Sequence, residues 1–195
     1  MASVTRLALG IRHWAFTLIA GLVLTATAGA TVLIPADLSA LTAESTAIVH
    51  GRVVDVRAEW LAGRRAIETY VTVAAATYLK GDLGETVTLR VPGGRMGAYR
   101  SRVVGAPIFN VGDEVVLFLG SRGPSVPYVL GLSQGVYRVR TDPESGRRTV
   151  IPPALVSPDV EPVRLVRGDP NRPAPTLERF AADVRALLAR KTGAR

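Results

Sequence analysis

The sequence predicts a mainly all-β protein, built as a small barrel with one short helix before the strands and one amphipathic helix after them. The first observation is a series of short apolar or alternating segments separated by turns rich in glycine and proline. The second is the segment 109–120, in which turn residues lead into the unbroken apolar run 115–119. A run this short is typical of a strand covered on both faces. We expect the other strands to be arranged around it.

The first thirty residues have the layout of a secretory signal peptide. Arg6 and Arg12 give a positive start, residues 14–24 are apolar, and Ala28-Gly29-Ala30 fits the small-residue rule for cleavage. The alternative is an uncleaved anchor at residues 14–30, whose length is at the short limit for crossing a bilayer. Either interpretation predicts a secreted or extracytoplasmic protein of the cell envelope, with membrane attachment only if the segment stays uncleaved.

Residues 31–151 are predicted to form the β-barrel domain. After an extended lead-in at 31–35, Asp37 is placed to cap a short helix that ends near Glu44. The strand 47–56 contains Gly51, where we expect a bend or bulge. The remaining predicted segments are a polar hairpin at 57–65, an alternating strand at 67–79, and a half-buried strand at 86–91 that ends at Pro92-Gly93-Gly94.

The second half of the domain is predicted to close the barrel. A long connection at 95–106 precedes the central strand, and the segments 128–132 and 136–140 are expected to be the closing strands, with a short return at 149–151. Residues 152–175 hold many prolines and predict an extended strap. Residues 176–195 predict a helix capped by Thr176 and a tail. An amphipathic helix of this kind usually docks on its own domain; a partner or a membrane surface are the alternatives.

This strand order is typical of a five- or six-stranded Greek-key barrel. The chain resembles OB-like barrels of the netrin/TIMP-like kind, in which a glycine step precedes the inner strand as Gly112-Asp113-Glu114 does here. It is also similar to uncharacterised exported bacterial proteins that share the spaced elements Leu79-Lys80-Gly81, Pro92-Gly93-Gly94, Gly112-Asp113-Glu114 and Gln134-Gly135. The resemblance covers residues 38–140 and implies a fold. Protease inhibition in those families depends on cysteines that this chain lacks, so it is not carried over.

The residue types exclude several chemistries. Absence of cysteine excludes a thiol nucleophile and disulfides, and His50 is the only histidine beyond residue 30, so zinc ligands are too few. A Ser-His-Asp site would need His50 with Ser101, Ser121 or Ser133, and no G-x-S-x-G motif supports one. We therefore expect His50 to be solvated or hydrogen-bonded. Asp113 and Glu114 are expected to point apart, as a turn residue and a solvated strand start. No catalytic residue, metal or cofactor is predicted.

Arginine supplies nearly all of the positive charge. The formal net charge is +8, and Lys80 and Lys191 are the only lysines. Genome composition or recognition of an anion would each explain this bias. The candidate ligand-binding residues are Arg95, Tyr99, Arg100 and Arg102, which would form a basic ledge with one aromatic ring if the barrel loops converge. Arginines of the hairpin and the last strands would join them: Arg64, Arg65, Arg138, Arg140, Arg147 and Arg148.

These observations favour a non-catalytic exported module that recognises a protein or cell-envelope component through barrel loops. The alternative from a different class is a binder of an anionic polymer or lipid surface through the arginine-rich loop face. A third, less favoured hypothesis is an unrecognised hydrolase. Specific binding of nucleic acid is not expected, because the charge excess is modest, one aromatic residue is interleaved with the arginines and the chain is exported.

Overall fold

A computed structural model of the chain describes residues 36–61, 63, 65–121, 123, 126–153 and 174–192. The predicted signal or anchor segment 1–30, the lead-in 31–35 and most of the proline-rich strap, residues 154–173, lie outside these ranges. The compact unit that contains the described residues extends over Leu33–Arg195. Within the described ranges, the helices lack the combination of length and apolar character that crossing a bilayer requires.

The described residues form two α-helices, nine strands and one 3₁₀ helix. The helices are α1 (Leu38–Glu44) and α2 (Leu177–Thr192), and the 3₁₀ helix is Leu132–Gly135. The strands are β1 (Ala47–Leu61), β2 (Ala66–Lys80), β3 (Thr86–Pro92), β4 (Gly94–Met96), β5 (Tyr99–Ser101), β6 (Glu114–Gly120), β7 (Tyr128–Val129), β8 (Val136–Thr141) and β9 (Arg148–Ile151). The protein is therefore mainly β, as predicted.

Five strands close into a ring in the order β1-β2-β3-β7-β6, and β6 pairs back onto β1. All neighbours are antiparallel except β3 and β7, which run parallel through the pair Arg90 and Tyr128. This is an OB-like Greek-key barrel, and the prediction of that fold class is confirmed. One detail of the prediction is wrong: β8 does not close the ring but pairs with β6 beside β7, and β9 then extends the sheet away from it.

The central strand β6 is buried on both faces, as its apolar run predicts. Val115, Leu117 and Leu119 point into the barrel, whereas Val116 and Phe118 point outward, and all five side chains are fully buried. Because neighbouring residues of a strand point to opposite faces, this burial requires a second hydrophobic layer outside the barrel. The two helices supply that layer.

The second layer lies between the helices and the outer surface of β1, β6, β8 and β9. From α2, Leu177, Phe180 and Val184 are buried there, and α1 contributes Leu41. The Phe180 ring lies 4.9 Å from the Tyr137 ring, measured between centroids. The C-terminal helix thus docks on its own domain, in agreement with the sequence-based expectation.

Local signals in the first part of the domain behave as predicted. Asp37 caps α1, since its Oδ1 accepts a hydrogen bond of 2.6 Å from the Ala40 backbone N–H. The register of β1 against β2 shifts between His50 and Gly51, which is the bulge expected at that glycine. At the far end of β2, Lys80 Nζ donates to the Thr42 carbonyl at the end of α1, with a separation of 2.8 Å.

Two predicted loops contain more β structure than expected. The predicted polar hairpin 57–65 is mostly strand, because β1 continues to Leu61 and β2 begins at Ala66. Arg57 and Glu59 face outward, while Ala58 and Trp60 alternate with them and face inward. The predicted connection 95–106 contains the antiparallel ribbon β4–β5, which forms a separate two-stranded sheet. The long β1–β2 hairpin and this ribbon project together from one end of the barrel.

Candidate functional site

The β4–β5 ribbon lies on the inward face of the extended β1–β2 hairpin. A Cβ added to Gly94 would lie 2.6 Å from Thr69 Oγ1 and 3.1 Å from Ile67 Cγ2. Gly94 also has a φ of 149°, so both its contacts and its backbone conformation require glycine. The sequence Pro92-Gly93-Gly94 therefore ends β3 and returns the chain as a ribbon in close contact with the hairpin.

An aromatic cleft opens where the ribbon meets the tip of the hairpin. The Trp60 and Tyr99 rings meet edge to face, with centroids 5.4 Å apart and an interplanar angle of 72°. A shallow pocket of about 320 Å³ is lined by these two rings and the turn of the ribbon, namely Trp60, Met96, Gly97, Ala98 and Tyr99. We call it the ribbon cleft. Tyr99 remains 68% exposed, so its ring is accessible to a ligand.

Arg95 and Arg100 lie on the other face of the ribbon. They are directly opposite each other in the register, as are Met96 and Tyr99, and neighbouring pairs of a ribbon point to opposite faces. Arg95 Nε donates to the Gly97 carbonyl at 3.2 Å. Among the described residues, neither guanidinium has a carboxylate within 4.0 Å. Two like charges directly opposite each other destabilise a strand pair, and a bound anion would relieve that repulsion.

The structure thus brings three of the four predicted site residues, Arg95, Tyr99 and Arg100, into one ribbon but divides them between its faces. Tyr99 borders the ribbon cleft, Arg95 and Arg100 point away from it, and Arg102 is exposed just after β5 ends. We expected one basic surface with an aromatic ring among the arginines. The ribbon instead has an apolar face, which carries Tyr99, and a basic face, which carries Arg95 and Arg100. Ligand binding by these residues stays a prediction.

Two of the other arginines considered for that ledge are held in ion pairs. Arg138 Nη1 lies 2.6 Å from Asp113 Oδ2, and its Nη2 donates to the Ile108 carbonyl. Arg148 Nη2 lies 3.1 Å from Glu178 Oε1 and links β9 to α2. The pKa of the Glu178 carboxyl is lowered, first by a hydrogen bond from its own backbone N–H and then by Arg148. These two arginines serve the fold.

A histidine–carboxylate pair lies across β1 and β6. His50 Nε2 is 2.8 Å from Glu114 Oε1, and Arg52 Nη2 is 3.2 Å from Glu114 Oε2. The side chain of Glu114 is 13% exposed, so the expectation of a solvated strand start is wrong for this residue. The cause is the register, which places Arg52 directly opposite Glu114 and His50 diagonal to it. Asp113 and Glu114 do diverge, each toward its own cations, as predicted.

A histidine–carboxylate pair acts as a general base only when a nucleophile is in reach of the imidazole. No serine or threonine hydroxyl of the described residues hydrogen-bonds His50, and Ser121 Oγ donates instead to the Gly123 carbonyl at 2.8 Å. Arg52 shares the carboxylate, with Arg148 Nη1 at 3.8 Å as a further cation. No group of three or more carboxylate or histidine side chains suited to a metal ion occurs in the described part of the chain. The geometry is that of a structural ion-pair network.

Replacing Glu114 with glutamine should therefore destabilise the domain. The substitution removes the charge that His50 and Arg52 contact in a largely buried position, and hydrogen bonds to charged groups contribute about 1.5–3 kcal/mol each. We expect a loss of about 2 kcal/mol in the free energy of unfolding, measured by urea denaturation followed by circular dichroism. Glu85→Gln, an equal charge change at an exposed turn, is the control and should have little effect. Equal effects would contradict the structural role of Glu114.

The connection between β5 and β6 carries a feature that the sequence analysis missed. Pro107 and Phe109 are buried, and Phe109 belongs to the barrel core, whereas Val104, Ile108 and Val111 are 74%, 69% and 65% exposed. The apolar character of residues 103–111 was visible in the sequence, but the pattern alone does not show which side chains point outward. We call these three residues the apolar loop face.

The comparisons with known proteins gave no match to a family model, to a curated protein sequence or to a solved structure. The resemblance to netrin/TIMP-like barrels therefore stays a prediction. Three exposed features of the described residues are suited to binding: the ribbon cleft, the arginines Arg95 and Arg100, and the apolar loop face.

Proposed function

We propose that the protein is a non-catalytic exported binding module that recognises a protein partner, or a protein component of the cell envelope, through the apolar loop face. The observation that carries this proposal is the exposure of Val104, Ile108 and Val111. A large aliphatic side chain gains free energy on leaving water, and clusters of such side chains on a soluble surface mark sites of protein association.

The exposed apolar residues are concentrated rather than scattered. Among the described residues, eight large hydrophobic side chains are exposed, and four of them lie in the connection between β5 and β6: Val103, Val104, Ile108 and Val111. Isolated exposed hydrophobic residues are normal and need no explanation. A concentration on one connection between two strands supports a docking role for that connection.

The connection is also held in place by bonds on both sides. The Gly105 carbonyl accepts a hydrogen bond of 2.9 Å from the Ser133 N–H, and the Gly112 N–H donates to the Val53 carbonyl at 2.8 Å. In the middle of the connection, the Ile108 carbonyl accepts a hydrogen bond from Arg138 Nη2. A loop that is already ordered loses little conformational entropy on binding, so more of the contact energy appears as affinity.

Site-specific photocrosslinking in cells making the full chain tests this proposal. A photoreactive residue placed at Val104 or Ile108 should give a discrete protein adduct of one mass. The matched control is the same photoreactive residue at Leu83, which is 40% exposed in the turn between β2 and β3. It should give no adduct. The adduct at Ile108 should be lost when Val104 and Val111 are changed to serine, because those contacts supply the binding energy.

Two outcomes would contradict the proposal. The first is no discrete adduct from either position, or the same adducts from Leu83 as from Ile108. The second concerns the non-catalytic part: hydrolysis of an activated ester that His50→Gln abolishes would identify a hydrolase instead. The pairing of His50 with a carboxylate shared by Arg52 supports the expectation that no such activity is found.

A further inference from the structure

We propose that the ribbon and the hairpin tip form a docking surface for an anionic lipid bilayer. The surface consists of the ribbon cleft, with Trp60, Met96 and Tyr99, and of Arg95 and Arg100 on the other face of the ribbon, one residue pair from its turn. It is separate from the apolar loop face and does not depend on the function proposed for that face. The hairpin contributes Trp60, and the ribbon contributes the other apolar side chains and both arginines.

The apolar part has the chemistry of a membrane interface. Tryptophan and tyrosine are enriched at the level of the lipid headgroups because each combines an apolar ring with a polar atom. Trp60 and Tyr99 contact each other near the ends of two β-hairpins, next to the turn of the ribbon. Met96 lies opposite Tyr99 in the ribbon and adds a flexible apolar side chain.

The basic part has no internal counter-charge. The ribbon, residues 94–101, contains two arginines and no acidic residue. Arg95 and Arg100 are opposite each other, and no described carboxylate lies within 4.0 Å of them. Juxtamembrane arginines of this kind are attracted by the negative surface potential of anionic lipids.

Negative charge is kept on the other face of the hairpin. Asp55 and Glu59 point outward from β1, and Arg57 pairs with both, at 3.9 Å and 3.0 Å. Glu68 of β2 points the same way and has Arg90 Nη1 at 3.7 Å. The acidic side chains of the hairpin are thus balanced on the face away from the ribbon, so the ribbon side presents a net positive charge.

A bilayer fits this surface better than a soluble polyanion does. A hydrophilic polymer would contact the arginines and leave the ribbon cleft in water, whereas a lipid surface offers anionic headgroups and apolar chains within a few ångströms of each other. Only a lipid surface would contact both the apolar face and the basic face of the ribbon. The experiment therefore has to distinguish binding to a bilayer from binding to a soluble polyanion.

Quenching of Trp60 fluorescence by brominated lipids measures docking on the bilayer. The full chain has two tryptophans, so the Trp14→Phe variant leaves Trp60 as the single fluorophore. This variant is reconstituted into vesicles of phosphatidylcholine, with or without phosphatidylglycerol, that carry brominated acyl chains. Bromine quenches tryptophan only at short range, so quenching reports Trp60 at the membrane interface whether or not the N-terminal segment also holds the chain there.

We expect quenching in vesicles that contain phosphatidylglycerol, and weaker quenching at high salt. Adding Arg95→Gln and Arg100→Gln should lower the ratio of docked to free protein about 30-fold. Arg95→Lys with Arg100→Lys should retain docking, because the charge is kept. Arg185→Gln with Arg190→Gln removes the same charge from exposed positions of α2 and should leave the quenching unchanged.

Three results would overturn the proposal. Equal quenching in vesicles of phosphatidylcholine alone would remove the role of the lipid charge. Equal losses from the ribbon pair and the α2 pair would show a general effect of net charge. A change of Trp60 emission with dextran sulfate, without quenching by brominated lipid, would identify a soluble polyanion as the ligand.

Discussion

Replacing Phe118 with alanine should lower the free energy of unfolding by about 3–5 kcal/mol. Phe118 is fully buried in the layer between β6 and α2, with its ring centroid 5.4 Å from that of Tyr137 and 6.5 Å from that of Phe180. The substitution removes the transfer energy of a phenyl ring and leaves a cavity. The strands on either side fix the backbone of β6, so the cavity cannot collapse freely.

Equilibrium unfolding in urea, followed by circular dichroism, measures this loss. Tyr99→Ala is the control, since its ring is mostly exposed and its edge contact with Trp60 contributes only about 1 kcal/mol. A double-mutant cycle with Phe180→Ala should give a coupling of about 0.5–1.5 kcal/mol between the two rings. If Phe118→Ala cost no more than Tyr99→Ala, α2 would not be packed against β6.

The elements predicted correctly from sequence are those with a local physical signature. The run 115–119 is apolar and too short for a capped helix, which favours a strand buried on both faces, and Asp37 carries the side chain that an N-cap requires. The ring closure has no such signature. It depends on β7, a strand of two residues, and on one parallel pair between Arg90 and Tyr128. Such a contact is decided by the tertiary fold.

The candidate site shows the same division. The sequence placed Arg95, Tyr99 and Arg100 in one loop, but only the register of the ribbon reveals that tyrosine and arginines point to opposite faces. Hydrogen bonds between residues far apart in the sequence were equally impossible to predict from the sequence. Gln134 is buried and its Oε1 accepts a hydrogen bond of 2.6 Å from the Ala36 N–H, although nothing in either local sequence indicates the pair. Hydrogen bonds of this kind are satisfied wherever the fold brings donor and acceptor together.

Replacing Gly51 with alanine should destabilise the domain by about 3 kcal/mol or more, at the upper end of the range for overpacking. A Cβ at this position would lie 2.3 Å from the Ala74 carbonyl oxygen and 2.8 Å from Val73 Cγ1. Gly51 pairs with Ala75 on one side and with Val115 on the other. The obstructing atom belongs to the backbone of a strand that is itself fixed in the barrel, so moving it would break hydrogen bonds of the sheet.

Gly63→Ala separates this contact from the intrinsic effect of replacing glycine. Gly63 lies in the hairpin turn with a φ of 68°, and a Cβ there would meet nothing within 4 Å. Its cost is the strain of a left-handed conformation, about 1 kcal/mol. Gly51 has no positive φ, so any excess loss in urea denaturation comes from the close approach of β1 and β2 at the bulge. Equal losses from the two substitutions would mean that the strands at the bulge are farther apart than these distances require.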